Sequence, residues 1–353
     1  MDRNARPGVV RSIVGGLWRA IDRFRQISLN LLFIAVVVFL VAGWFAARPT
    51  PLPGDAALLI APTGQLVEQR TVRSAMSVLQ GSDGIRQILL RDVVDSIRAA
   101  TTDPRIKALV IETDGLAGAG LPKLQEIATV VAEFRKSGKK VYAHGKNFNQ
   151  AQYHLAAQGD EVFVSPDGYV YLSGFGRFPT YFKGLFDQVG VKMQIFRVGT
   201  YKSFVEPYTR NDMSPEDREA TRDYLEAAWK AYQADILAAR PKAAPHFARY
   251  VGDTPALLAE SGGDAAHMAL TAGLVDGLKT ADEWRDYLKS TLGTGDEGKG
   301  YKHVDMGTYI ARVREERSPP EDKIGVVVAQ GAIVDGDHPP GVAGGDTVAG
   351  LIR

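Results

Sequence analysis

The stretch Phe196-Arg-Val-Gly-Thr-Tyr-Lys-Ser-Phe-Val-Glu-Pro-Tyr-Thr-Arg-Asn-Asp-Met-Ser-Pro-Glu-Asp217 is the part of the sequence around which the rest is organised. The apolar residues 191–198 lead into it and predict a strand. Pro207 disfavours an ordinary helix directly after Lys202, because proline lacks an N–H group and clashes with the preceding turn. A long capped helix is predicted to begin at Pro215. The pattern therefore holds one lysine in an irregular segment between two regular elements, as folds often do with a reactive side chain.

By spacing alone, Lys202 is most simply a solvated surface lysine. The motif from Gly199 to Pro207, followed by Asn211-Asp-Met-Ser-Pro215, resembles the lysine segment of the signal peptide peptidase A (protease IV) family in its long, tandem-domain form. The resemblance also covers residues 106–174 and the chain from Lys323 onward. It implies a crotonase/ClpP-like α/β fold and a peptidase with a Ser/Lys dyad, in which Lys202 is the general base that accepts and donates the proton.

The alternation of apolar segments supports the α/β class without the resemblance. Beyond residue 55, short apolar runs alternate with segments that have a helical period. The predicted strands are residues 107–112, 140–143, 161–165 and 169–172, and the predicted helices are residues 88–100, 121–136, 150–157 and 181–189.

Composition excludes several classes of function. The 353 residues are 45% hydrophobic and 24% charged, as in a globular protein, and the formal net charge is +1. A charge this small gives no general attraction to nucleic acid, so no nucleic-acid partner is expected. The chain has no cysteine, which excludes disulfides, thiol catalysis and cysteine-based zinc sites. The six histidines form no His-Glu-x-x-His pattern, and neither a metal nor a cofactor is expected.

Residues 27–46 are predicted to cross a membrane. The uncharged run 27–45 would form a helix of about 1.5 Å per residue, which roughly spans the hydrocarbon core of a bilayer. Residues 1–26 contain six arginines and two aspartates, and such a tail is expected to stay in the cytoplasm. Together with the resemblance, this predicts a single-pass protein of the bacterial inner membrane with its catalytic part in the periplasm. The alternative is a cleaved signal peptide with a small-residue site at residues 42–47.

Two pairs of matching segments indicate an internal repeat. Pro62–Glu68 matches Ala329–Asp335 at an offset of 267 residues, and Arg91–Arg98 matches Asp346–Arg353 at an offset of 255. The predicted division is therefore a basic tail (1–26), a membrane anchor (27–46), a first crotonase-like peptidase repeat (55–311), a charged linker (312–322) and the start of an incomplete second repeat (323–353).

The resemblance also indicates what the chain lacks. In the family, the nucleophilic serine lies in an Ala-Ser-Gly-Gly-Tyr type segment of the second repeat, and the first-repeat counterpart here is Asn149-Gln-Ala-Gln-Tyr153. Gln150 takes the serine's place, so no nucleophile is expected in this chain. Residues 113–120 match the oxyanion turn in position but not in glycine order. Ser203 is not expected to substitute, because adjacent residues of an extended chain point to opposite sides, away from Lys202.

A lysine base must be neutral, whereas an unperturbed lysine, with a pKa near 10.4, is only about 0.04% deprotonated at pH 7. Burial in apolar surroundings lowers a lysine pKa. Tyr201, Phe204 and Tyr208 are the candidates for an apolar wall around Lys202, while Glu206 would oppose their effect if it touched the amine.

Three classes of function follow. The first is a membrane-anchored serine endopeptidase that degrades signal peptides and other apolar peptides, to which this chain, inactive alone, contributes the anchor and the lysine. The resemblance implies a homo-oligomer, a tetramer, in contact with the lipid bilayer. The second is a crotonase-type acyl-CoA enzyme, which the anchor and the lack of a basic motif for the CoA phosphates oppose. The third is a non-catalytic scaffold that packs against a partner.

Overall fold

The computed structural model describes residues 9–46, 51–71, 86–295, 298, 300–317 and 324–353. The chain divides into two compact units, one ending at Pro51 and one beginning at Leu52. The first unit holds helix α1 (Val9–Ala46), in which the segment Gly16–Val41 is long and apolar enough to cross a membrane. The helix includes the predicted span and begins well inside the predicted basic tail, so residue 26 is not a boundary of secondary structure.

The second unit is built on a six-stranded parallel sheet. Its strands are β1 (Ala56–Ile60), β4 (Ile106–Glu112), β6 (Lys140–Gly145), β7 (Glu161–Val164), β8 (Gly277–Leu278) and β9 (His303–Asp305). Their order is β8-β7-β6-β4-β1-β9, and every pairing is parallel. The connecting helices include α2 (Leu90–Thr102), α3 (Leu121–Lys136) and α4 (Gln150–Ala156). The predicted α/β class is confirmed. These helices and the predicted strands 107–112, 140–143 and 161–165 lie within about two residues of their expected positions.

The sheet buries both of its faces, as parallel sheets do. Alternate strand residues such as Leu58 and Leu109 point into the main core, where they meet Ile97 of α2 and Val130 of α3. The opposite face is covered by helix α11 (Ala281–Leu292). The core between α11 and this face of the sheet consists of Ala57, Ala108, Val110, Tyr142, Phe163, Trp284, Leu288 and Tyr301.

A smaller parallel sheet lies beside the large one, with strand order β3-β2-β5, where β2 is Gly64–Val67, β3 is Gln87–Leu89 and β5 is Leu116–Gly118. Gly64 is required at the start of β2, because its φ is 102° and a Cβ atom there would lie 1.9 Å from the carbonyl oxygen of Arg86.

The C-terminal residues form the same arrangement. Strand β10 (Ile333–Val334) pairs in parallel with β11 (Ala343–Gly344), and helix α13 (Gly345–Ile352) follows at once. Gly331 has a φ of 95°, and a Cβ atom on it would lie 2.0 Å from the carbonyl oxygen of Gly341. Gly64 and Gly331 differ by 267 residues, and Arg86 and Gly341 by 255, which are the two offsets of the sequence repeat.

Helices dominate the chain beyond β7. They are α5 (Lys183–Val189), α6 (Glu206–Thr209), α7 (Pro215–Ala239), α8 (Ala244–Gly252), α9 (Thr254–Glu260), α10 (Ala265–Thr271) and α12 (Met306–Glu316). The predicted long helix from Pro215 is confirmed, with the Ser214 side chain accepting the N–H of Asp217 at 3.1 Å. Helix α12 extends into the predicted linker 312–322, of which residues 318–322 lie outside the described part of the chain, as does Lys323.

Two predicted strands are wrong. Residues 191–198 form no strand, and Phe196 and Val198 are 96% and 85% exposed. Residues 169–172 are reduced to a single bridge between Phe148 and Val170. An apolar run indicates that a segment has strand propensity, but a strand forms only where a neighbour offers its N–H and C=O groups, and residues 191–198 have no such neighbour in the described chain.

Candidate functional site

Lys202 lies in a turn and its side chain is exposed. Its backbone N–H lies 3.4 Å from the carbonyl oxygen of Gly199, which has a φ of 114°. The aliphatic part of the lysine folds back over this glycine, since a Cβ atom on Gly199 would lie 3.5 Å from its Cγ, Cδ and Cε. Arg197 donates from Nη1 to the Lys202 carbonyl oxygen at 2.9 Å and closes the turn on its other side. The turn thus fixes the backbone and leaves the amine on the surface.

The expected apolar wall of Tyr201, Phe204 and Tyr208 does not close around Lys202 in the part of the chain that the structure describes. Tyr201 is 58% exposed and donates its hydroxyl to Glu219 at 3.3 Å, and Phe204 is 86% exposed. Tyr208 instead stacks on Phe182, with ring centroids 6.3 Å apart. The prediction relied on closeness in sequence, whereas burial needs side chains that close over the amine from several elements.

Glu206 is buried, only 3% exposed, and takes part in the framework under the turn. It accepts the backbone N–H of Ser214 at 3.0 Å, and Arg197 Nη1 lies 3.8 Å from its other carboxylate oxygen. These contacts connect the start of α6 to the N-terminus of α7. Glu206 therefore contacts the segments on both sides of the lysine turn, the side chain of Arg197 before it and the backbone of Ser214 after it, which the sequence did not indicate.

Ser203 is engaged by another carboxylate. Its hydroxyl hydrogen-bonds to Asp217, and Arg177 Nη1 donates to the same carboxylate at 2.7 Å. Burial acts to raise the pKa of Asp217, but the hydrogen bonds from Ser203 and Arg177 outweigh it, and the pKa is lowered. The residue next to Lys202 thus supports the ion pair of Arg177 with Asp217 at the start of α7.

Gln150 opens helix α4, behind the capping box formed by Asn149 and Gln152. Its side-chain oxygen accepts the N–H of Gly174 at 2.8 Å, and its backbone oxygen accepts the hydroxyl of Tyr232 at 2.9 Å. The cavity that remains beside it has a volume of about 40 Å³. Gln150 therefore occupies most of the space at the head of α4.

The structure brings Gln150 together with the glycine-containing turn 113–120. Gln152, two residues after Gln150, donates to the carbonyl oxygen of Leu116 at 3.2 Å. Ala119 and Leu121 line the small cavity beside Gln150, and Lys202 does not. Gln150 and the turn 113–120, the first-repeat counterparts of the serine and of the oxyanion turn, thus lie together. Lys202 does not line the cavity beside them.

The sequence did not predict a functional or structural role for a buried histidine beneath this place. His154 of α4 is fully buried, with Nε2 lying 3.0 Å from a carboxylate oxygen of Asp235, which also accepts from Gln125 at 2.8 Å. Burial lowers the pKa of His154, and Asp235 partly offsets this effect. Helical spacing within α4 and α7 could have placed each residue on an inward face, but not the contact between them. Because His154 is fully buried, the contact between His154 and Asp235 stabilises the packing of α4.

Comparison with known proteins gives a family. The model of peptidase family S49 matches residues 133–293. Protease 4 of Salmonella typhi is 34% identical over 348 residues, which cover 95% of this chain and 55% of that protein. Protease 4 of Haemophilus influenzae is 33% identical over 350 residues, covering 95% and 56%. These matches support the protease IV family for this chain.

The chain spans about half the length of these protease IV relatives, 55% and 56%. Among solved structures, an enoyl-CoA hydratase/isomerase family protein from Silicibacter pomeroyi superposes with a TM-score of 0.31 at 15% identity, over 58% of this chain and 69% of that chain. At such a score the likeness carries no argument about function.

Proposed function

We propose that this chain is the anchored, first-repeat portion of a serine peptidase with a Ser/Lys dyad, and that it supplies Lys202 as general base to a serine of the second repeat. The observation that carries the proposal is the pairing of an exposed lysine in the family's motif with a glutamine at the head of α4. Gln150 has no nucleophilic oxygen, and its side chain is committed to Gly174. The nucleophile must therefore come from elsewhere.

In the proposed reaction, this chain has to position the Lys202 amine, and the amine has to be shielded from water. A neutral Lys202 amine takes the proton of the serine hydroxyl as its oxygen attacks the peptide carbonyl, and returns the proton to the leaving amine. Backbone N–H groups near the serine stabilise the oxyanion. Because Lys202 is exposed in this chain, the surface that brings the serine must also cover the amine and favour its neutral form.

The exposed apolar residues in the stretch 174–205, which contains Lys202, support such a covering. Phe178, Phe196, Val198 and Phe204 are all at least 85% exposed. Large apolar side chains this exposed indicate a surface that packs against protein. We assign it to the second repeat and to neighbouring copies in a homo-oligomer, and the tetramer implied by the family remains part of the proposal. The substrates we propose are apolar peptides such as signal peptides.

The domain division and the membrane topology belong to the same proposal. Gly64 and Gly331 differ by 267 residues and Arg86 and Gly341 by 255, the two offsets of the sequence repeat, and this agreement supports a second repeat beginning near residue 323. Helix α1 is proposed to anchor the chain in the bacterial inner membrane, with the arginine-rich end in the cytoplasm and the second unit in the periplasm. Carbonate extraction should leave the chain with the membrane, and release into the soluble fraction would contradict the anchor.

Reaction with a serine-directed fluorophosphonate tests the proposal. The chain alone should not be labelled, whereas the chain completed by a second repeat that contains the family's Ala-Ser-Gly-Gly segment should be labelled on that serine. Labelling of Ser203 in the chain alone would contradict the assignment of the nucleophile. The second candidate, a non-catalytic scaffold, is supported by the same glutamine, and failure of the completed protein to react or to cleave peptides would favour it.

A further inference from the structure

The first part of helix α1, residues 9–26, differs in character from the uncharged run 27–45 that follows it in the same helix. Its sequence contains four arginines against one aspartate, a net charge of +3. We call it the juxtamembrane segment. The proposed anchor uses its charge to set the orientation of the chain and gives its side chains no other part.

Leu17, Ile21 and Phe24 form an apolar face on the juxtamembrane segment. Their spacing brings the three side chains within an arc of about 60°, at about 3.6 residues per helical turn. They are 63%, 53% and 73% exposed. The sequence continues the pattern toward the N-terminus, with apolar residues at positions 10, 13 and 14. The segment therefore has an apolar face that no described part of the chain covers.

The other side of the segment is polar and basic. Gly16, Arg23 and Gln26 lie away from the apolar face by helical spacing, and all three are exposed. Asp22 is the only acidic residue of the segment, and its carboxylate lies 2.6 Å from Arg25. The arginines of the segment therefore outnumber its acids even after this pair. A basic face opposite an apolar face is typical of helices that lie in the interface of an anionic membrane.

The length of α1 places this segment at the membrane surface. Its 38 residues extend over about 57 Å, whereas a hydrocarbon core is about 30 Å thick and a whole bilayer about 40–45 Å. Because the run 27–45 roughly fills the core, the juxtamembrane segment begins at the headgroups. Extended straight into the cytoplasm, it would expose its apolar face to water. Ser28 and Asn30 follow the junction, and such side chains can bond to nearby backbone groups and ease a bend there.

A second copy of the chain is a less favourable cover for the apolar face. Copies anchored in one membrane share their orientation, so their segments could pair only in parallel. With Leu17, Ile21 and Phe24 in the seam, the flanking positions would be 11, 13, 18, 20 and 25. The sequence has arginine at positions 11 and 25 and no acid at any of the five. Pairing would therefore bring arginines together without a compensating charge, whereas anionic headgroups attract them.

We propose that the juxtamembrane segment lies along the cytoplasmic surface of the membrane, with its apolar face in the lipid and its arginines on the phosphate groups of anionic lipids. A guanidinium donates several N–H groups in a plane that matches phosphate oxygens. Leu17, Ile21 and Phe24 enter the boundary between headgroups and acyl chains. The inference rests on the proposed membrane anchor and is independent of the peptidase chemistry.

Nitroxide labelling of the full chain in vesicles of phosphatidylglycerol and phosphatidylcholine tests the orientation. The sequence has no cysteine, so one introduced cysteine is the only labelling site. Leu17→Cys and Phe24→Cys put the label on the apolar face, and Gly16→Cys and Arg23→Cys put it on the other side. The members of each neighbouring pair differ by only about 1.5 Å along the axis. Labels at 17 and 24 should meet oxygen dissolved in lipid, and those at 16 and 23 a water-soluble nickel complex.

An upright segment would give the two members of each pair the same accessibility and would overturn the proposal. Strong spin–spin coupling between labels at position 17, absent for labels at position 16, would assign the apolar face to a second copy instead and would also overturn it. Carbonate extraction tests the anchor separately. Equal accessibility in a chain that stays with the membrane would overturn this inference alone, whereas release by carbonate would overturn the anchor with it.

Arg23→Gln tests the lipid charge, with the label kept at Leu17→Cys. In vesicles with phosphatidylglycerol, the ratio of lipid-facing to water-facing label should fall about fivefold, the contribution of one arginine near an anionic surface. In phosphatidylcholine alone, the variant should match the parent. Arg222→Gln, at an exposed arginine of α7, is the matched control and should leave the ratio unchanged. An unchanged ratio for Arg23→Gln in the anionic vesicles would overturn the assignment of anionic lipid.

Discussion

Similar apolar residues are buried in the sheet core and exposed in the lysine-bearing stretch, residues 174–205. In the core, Ile97 and Leu109 are completely buried, and every strand of the large sheet has a parallel neighbour. In the stretch before and after α5, Phe196 is 96% exposed and residues 191–198 pair with nothing in the described chain. Both segments have the composition of buried structure. The core obtains its partners from this chain, whereas we propose that the lysine stretch obtains them from another surface.

The largest expected effect is on catalysis in the protein completed by a second repeat. Lys202→Ala should lower kcat by about 10²–10⁴-fold or more, because it removes the general base, and Lys202→Arg should be equally inactive because a guanidinium stays protonated. The wild-type rate should rise with pH as the amine loses its proton. Peptide hydrolysis across a pH series measures both effects.

Lys192→Ala is the matched control for these variants, since Lys192 is also exposed in the lysine stretch, before the turn. It should keep the parent's rate. If the Lys202→Arg variant kept wild-type turnover, Lys202 would not be the general base and would be an ordinary solvated surface lysine.

The next effect tests the contrast between the two regions directly. Leu109→Ala should lower the free energy of unfolding by about 2–5 kcal/mol, because it opens a cavity in the core. Phe196→Ala should change it by less than about 0.5 kcal/mol in the chain as it stands, since the ring is exposed. Urea denaturation of both variants measures this difference. A large loss for Phe196→Ala would mean that the chain alone covers the lysine stretch.

The sequence predicted the elements that depend on local patterns. Ser214 and Pro215 specify the start of α7 by themselves, and the strand predicted over residues 107–112 follows from the apolar run 108–111. The failures all concern partners that are distant in sequence. Residues 191–198 have strand propensity but no adjacent strand, and the aromatic residues near Lys202 are neighbours in sequence without closing over it.

The same limit applies to the sites. The position of Gln150 at the head of a helix could be predicted from the motif, but its hydrogen bond to Gly174 could not. The cavity beside α11 could not be predicted from the sequence, because Glu112, His144, Trp284 and Tyr301 line it from separate parts of the chain. They come together only through the sheet register and the packing of α11 on the sheet.

A smaller effect is expected where Gln150 connects the two regions. Gln150→Met preserves length but leaves the N–H of Gly174 without its acceptor, which should cost about 1–3 kcal/mol of unfolding free energy. Gln65→Met, at an exposed position of β2, is the control and should cost less than about 0.5 kcal/mol. Equal stability of the two variants would show that the bond to Gly174 does not hold the start of the lysine stretch.

The smallest effect is a pH-dependent one beneath the lysine turn. Because the pKa of Asp217 is lowered in the folded chain, its contribution to stability is complete above the carboxyl's pKa in the unfolded chain and is lost as pH falls through the lowered folded value. Arg177→Met removes the 2.7 Å contact and should cost about 1 kcal/mol at neutral pH. Once Asp217 is protonated in acid, the variant and the parent should converge. Urea titrations at neutral and acidic pH measure the difference, and the exposed Arg218→Met serves as the control. A cost for Arg177→Met that stays constant between the two pH values would assign its effect to packing of the arginine stem rather than to the charge of Asp217.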